Sequence, residues 1–135
     1  MKTTPEKVKS LEPNQVFVFG SNRAGRHGRG AAKDAIKFGA IYGQGDGIQG
    51  DSFGISTKDR NLAVLSLREI GINVDRFLRY AAAHPEKEFL VTQIGCGLAG
   101  YLPKQIAPMF KERTENVVLP EAFHNVLNQN INDHT

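Results

Sequence analysis

The chain has 135 residues, of which 40% are hydrophobic, 23% charged and 8% aromatic. That is enough for one domain with one core and too little for two, and it excludes both a disordered and a fibrous chain. The net charge of +3 is uneven: residues 1–37 carry 8 basic and 3 acidic side chains, residues 38–135 carry 9 and 11. An anionic partner is therefore expected near the first third of the chain.

Residues 1–14 are polar, contain Pro5 and Pro13, and read as an arm or turn ahead of a single domain over 15–128. They include no apolar run of the kind a secretory leader carries, and no later stretch reaches the ~18 apolar residues of a membrane helix. The lone cysteine, Cys96, has no internal partner. Together these features predict a cytoplasmic chain with no membrane association.

The first strand is predicted at Gln15–Phe19, an apolar, β-branched and aromatic run stopped by Gly20. A glycine-rich loop, GSNRAGRHGRG, covers residues 20–30 and leads into AAKDAIKFGA, where Ala32, Ala35, Ile36 and Gly39 share one helical face. A second glycine-rich stretch, GQGDGIQGD at 43–51, precedes a short strand at Ser52–Ser56. Asn73 is read as the N-cap of a helix whose Val74, Phe77, Leu78 and Ala81 face inward, ending near His84-Pro85.

Residues Glu88–Ile94 read as another central strand, followed by the loop GCGLAGY at 95–101. A helix opened by Pro103 should bury Ile106, Met109 and Phe110, with a kink at Pro108. A short strand at Asn116–Leu119, a helix at Glu121–Asn128 and a frayed tail at 129–135 complete the chain. Alternating strands and helices make the class α/β, with a mixed, mainly parallel sheet covered on both faces. In such sheets ligands bind beyond the carboxyl ends of the strands, where the loops at 20–30 and 95–101 both emerge.

Those two loops hold the chemistry. In the first, Gly25, Gly28 and Gly30 leave backbone N–H groups open before a helix, with Arg23, Arg26, Arg29 and Lys33 close by, an arrangement suited to a diphosphate. In the second, Gly95, Gly97 and Gly100 remove side chains where a ligand must pass close to the backbone. A literal G-x-G-x-x-G at Gly45, Gly47 and Gly50 lacks the strand-before, helix-after context of a dinucleotide fingerprint. Asn22 can hold a ribose hydroxyl and His27 can move a proton near neutral pH. Cys96 lacks the flanking glycines of a nucleophile elbow and reads as a small, inert thiol. The histidines and Cys96 show no metal-ligand spacing, so neither metal nor cofactor is expected.

Asn22, with His27 five residues on and then Gly28-Arg29-Gly30 and a helix, resembles the first ligand loop of macrodomains. IGCGLAGY followed by a helix resembles their second, phosphate-gripping loop. Residues 15–125 also resemble a family of small phage-associated macrodomain-like proteins. The resemblance implies a three-layer α/β/α fold that binds ADP-ribose or a related nucleotide diphosphate, in the host cytoplasm if the chain is phage-encoded. It also implies two catalytic candidates, Asn22 holding the distal ribose and His27 beside it. Ser21, Gly28, Arg29 and Gly30 would contact ligand on one side. Gly95, Cys96, Gly97, Leu98, Ala99 and Gly100 would wrap the diphosphate from the other, with Tyr101 capping the ribose.

The chain departs from the macrodomain pattern at Arg29, in the middle of the glycine triplet, and in having no aspartate-bearing strand ahead of the asparagine strand. The base of the nucleotide is left open by the second departure. Macrodomains include both hydrolases that remove ADP-ribose from macromolecules and pure binders. The two functions carried forward are therefore an ADP-ribosyl hydrolase and a non-catalytic module that sequesters a nucleotide signal. A nucleic-acid-binding role ranks lower, because no aromatic residues are interleaved with the arginines.

Overall fold

A computed structural model describes residues 2–132. Strand β1, Gln15–Asn22, shows why the sheet must be covered twice. Its side chains alternate between faces, so Val16 and Val18 enter one apolar cluster while Phe17 and Phe19 enter another. All four are nearly inaccessible to solvent.

Strand β1 lies at the centre of five, in the order β2-β3-β1-β4-β5, where β2 is Gly47–Gln49, β3 Ser52–Lys58, β4 Glu88–Val91 and β5 Val117–Val118. Strands β3, β1, β4 and β5 run parallel, and β2 is an antiparallel edge. The sheet is thus mixed and mainly parallel, as expected. Strand β2, inside the second glycine-rich stretch, was not legible as a strand.

Helix α1, Gly30–Ala35, packs Ala32 and Ala35 against Phe17 and Phe19. The predicted ten-residue helix here is shorter, because Ile36–Phe38 tightens into a 3-10 turn that Gly39 ends at φ 98°. On the opposite face lie α2, Leu67–Ala83, α3, Pro103–Ile106, and α4, Glu121–Asn132. Helix α2 begins earlier than expected. Its N-cap is Ser66, whose hydroxyl accepts from the Glu69 N–H while Glu69 reaches back to the cap. Asn73 lies inside the helix, buried, and donates to the Ser56 carbonyl at 2.9 Å.

Pro108 does more than kink its helix: α3 stops at Ile106 and Ala107–Phe110 continues as a 3-10 turn. Strand β4 ends at Val91, so Thr92–Ile94 already belongs to the loop. Helix α4 runs past Asn128 to Asn132, and the remainder of the expected tail, 133–135, lies outside the described residues.

The N-terminal arm is docked. Thr4 N–H donates to the Leu119 carbonyl at 2.9 Å, Lys2 pairs with Glu88 at 2.7 Å, and Val8 is buried beside Phe17. It protects the β5 edge of the sheet. Among the described residues no helix is long and apolar enough to cross a membrane.

The topology places a crevice. The loop after β1 leads to α1 on one face, and the loop after the adjacent β4 leads to α3 on the other. Neighbouring strands whose connections part in this way open a gap at their carboxyl ends.

Candidate functional site

The gap is a cleft of about 880 Å³, within the size range of small-molecule sites. Three strand ends form it. Gly20, Ser21 and Asn22 end β1, Thr57 and Lys58 end β3, and Thr92 and Gln93 follow β4. Its floor is rigid: Thr92 Oγ1 donates to the Val18 carbonyl at 2.8 Å and Thr57 Oγ1 to the Ser21 carbonyl at 3.2 Å.

Both glycine loops reach this cleft. Gly28, Arg29 and Gly30 line one side, and Gly95, Gly97, Leu98 and Ala99 the other. Gly28 and Gly97 have open space where a Cβ would stand, and neither needs a left-handed backbone. Neither packing nor conformation requires glycine at these two places. A side chain there would enter open space beside the cleft.

The amides of Gly97, Leu98 and Ala99 donate to no protein acceptor among the described residues, whereas those of Gly100 and Tyr101 are tied to Gly97 and Gly95. Arg26, Arg29 and Lys58 add positive charge, and no carboxylate lines the cleft. Helix α1 spans only six residues, so the arginines and free amides, more than a helix dipole, make the site electropositive. Arg29 is exposed and leaves the cleft open.

Asn22 lines the cleft, but its amide is engaged. Nδ2 donates to the Arg26 carbonyl and Oδ1 accepts the Arg26 N–H, both at 2.9 Å. One Nδ2 hydrogen and one Oδ1 lone pair remain for a ligand. His27 is not in the lining. It is 3% exposed, its Nε2 lies 2.9 Å from the Gln44 carbonyl, and its ring stands edge-on to Phe19 at 5.3 Å. A carbonyl partner requires the hydrogen on Nε2, and Nδ1 is buried with no partner among the described residues.

Three more expected contacts are also absent from the lining. Cys96 is half-buried, its Sγ 3.5 Å from the Ile94 carbonyl, and burial pushes its thiol up to about 11. Gly100 turns the chain at φ 84°. The Tyr101 hydroxyl donates to the Leu65 carbonyl at 2.6 Å, anchoring the loop to the start of α2.

Sequence reasoning missed Tyr42, Thr57, Lys58, Leu62, Thr92 and Gln93 as wall residues. Leu62 holds a left-handed φ of 65° and is partly exposed at the mouth, a conformation costly for a branched side chain. Asp59 braces that turn by accepting the N–H groups of Asn61 and Ala63.

Gly45, from the literal G-x-G-x-x-G, serves packing. A Cβ there would strike the Asn22 carbonyl and crowd Arg23, so the strand end and the 43–46 loop meet backbone to backbone. In comparison with known proteins, no family model matches the chain and no curated sequence matches it.

Proposed function

We propose that the chain binds the diphosphate of an ADP-ribose-type nucleotide in this cleft, as a macrodomain-like module of three α/β/α layers. The observation that carries the reading is the pairing of Gly28 with Gly97. From opposite loops, each leaves open a space that neither packing nor conformation requires, beside free amides and cationic side chains. A diphosphate accepts hydrogen bonds from both walls, and its charge is matched by Arg26, Arg29 and Lys58.

Among the two functions the resemblance implies, the lining favours binding. It holds no carboxylate, imidazole or thiol to take a proton from water, and Asn22 is engaged in shaping its own loop. Hydrolysis here would rest on the substrate's own diphosphate and on positioning. A binder sequesters its nucleotide instead of consuming it.

The test is a calorimetric titration with ADP-ribose, with AMP and NAD as comparators, followed by chromatography of the ADP-ribose after prolonged incubation with an ADP-ribosylated protein. Saturable binding without release of ADP-ribose is expected. Release that Asn22→Ala abolishes, with most of the affinity retained, would establish the hydrolase. Absence of binding to all three nucleotides would overturn the assignment.

A further inference from the structure

Behind one wall of the cleft lies a second, smaller pocket of about 270 Å³, lined by Arg23, Asp46, Arg60, Asn73 and Arg76. Backbone divides the two cavities. The Arg23 N–H donates to the Lys58 carbonyl at 3.0 Å, with Asn22 and Lys58 lining the cleft and Arg23 the pocket. We propose that this pocket is a second anion site, which takes a single phosphate group through the guanidiniums of Arg23, Arg60 and Arg76.

Charge is the first argument. Three arginines and one carboxylate, Asp46, line the pocket, leaving an excess of two positive charges in the lining. Arg23 reaches Glu69 only at 3.8 Å, and Arg60 and Arg76 have no ion-pair partner among the described residues. Asp46 offsets one of the three charges and is held in place by its Oδ1, which accepts the Ser56 N–H at 3.1 Å. Like charges gathered from three segments of the chain repel unless an anion sits between them.

The floor is the second argument, because it is built and fixed. Asn73, 7% exposed, donates to the Ser56 carbonyl at 2.9 Å, so Asp46 and Asn73 together clamp one residue of β3. Ser56 itself is fully buried, and its hydroxyl has no partner among the described residues.

Size and lining choose the ligand. The pocket is less than a third the volume of the cleft and has no aromatic side chain on which a base could stack. A guanidinium fork matches phosphate oxygens in pairs, and three forks suit one tetrahedral dianion. The phosphate comes either as the free ion or as the end of a phosphomonoester.

The experiment uses the Gly97→Glu protein, which sets a carboxylate at the cleft wall against any anion there, so the outcome does not depend on what the cleft binds. Inorganic phosphate and adenosine 5′-monophosphate are titrated into it in phosphate-free buffer, with and without Arg60→Ala and Arg76→Ala together. Both arginines are exposed, so the added changes should leave the melting temperature unaltered. One saturable site is expected, weakened about 30-fold or more by the paired arginine changes. Equal affinity for the two probes identifies the free ion as ligand, and a clearly tighter monophosphate identifies a phosphomonoester. Binding that the arginine changes leave unaltered, or no saturable binding by either probe, would overturn the proposal.

Discussion

The Asn22 side chain closes on the backbone of Arg26 from both sides, its amide donating to the carbonyl and accepting the N–H at 2.9 Å each. This clasp ends β1 and turns the chain into the first glycine loop. It follows that Asn22 is as much the loop's hinge pin as a ligand contact. Asn22→Ala removes both bonds and should lower stability by about 2 kcal/mol, read as a shifted urea midpoint at constant m-value. An unchanged midpoint would mean that the clasp contributes nothing.

His27 is expected to behave as a core residue. Truncation to alanine leaves the Gln44 carbonyl without its donor and opens a void beside Phe19. His27→Ala should therefore cost about 2–4 kcal/mol. A histidine that serves only chemistry would leave the denaturation curve where it was.

The glycines divide into two kinds, which substitution separates. Gly45→Ala drives a methyl group into the Asn22 carbonyl and should cost about 3 kcal/mol or more, or prevent folding. Gly97→Ala meets open space at an ordinary φ and should stay within about 1 kcal/mol of the parent. Equal melting temperatures for the two variants would contradict this division.

Acid should weaken the fold in a defined window. Burial, with the charge of Arg113 nearby, holds the His124 imidazole below its ordinary 6.5. The folded state thus binds its proton less readily than the unfolded chain. Its contribution is full above pH 6.5 and is lost as pH falls through the lower folded value. The Glu88 carboxylate lies below its ordinary 4.5, mainly through the Lys2 hydrogen bond, and its contribution fades at still lower pH. The melting temperature should fall from pH 7.5 to 5, and His124→Gln should flatten that slope. A slope unchanged by the substitution would remove His124 as its source.

Local signals carried much of the fold. A doubly buried strand followed by glycines and a helix, at 15–35 and again at 88–106, is enough to bring both loops to one sheet edge. The start of α2 is also written in Ser66-Leu67-Arg68-Glu69, a capping box whose spacing marks the N-terminus where Asn73 does not. What could not be read locally depends on distant partners. Strand β2 is three residues whose pairing is decided by β3. His27 is buried by Phe19 and tied to Gln44, and Tyr101 is spent on Leu65, 36 residues away. The walls at Thr57, Lys58, Thr92 and Gln93 arise only when three strand ends lie side by side.

If loops from two strands grip one ligand between them, blocking either side must abolish binding. Calorimetric titration of ADP-ribose into the parent protein, Gly28→Glu and Gly97→Glu tests this. Saturable binding by the parent, lost in each variant while both still melt cooperatively, is the predicted result. Binding that survives either glutamate at undiminished affinity would show that the ligand does not lie between the loops.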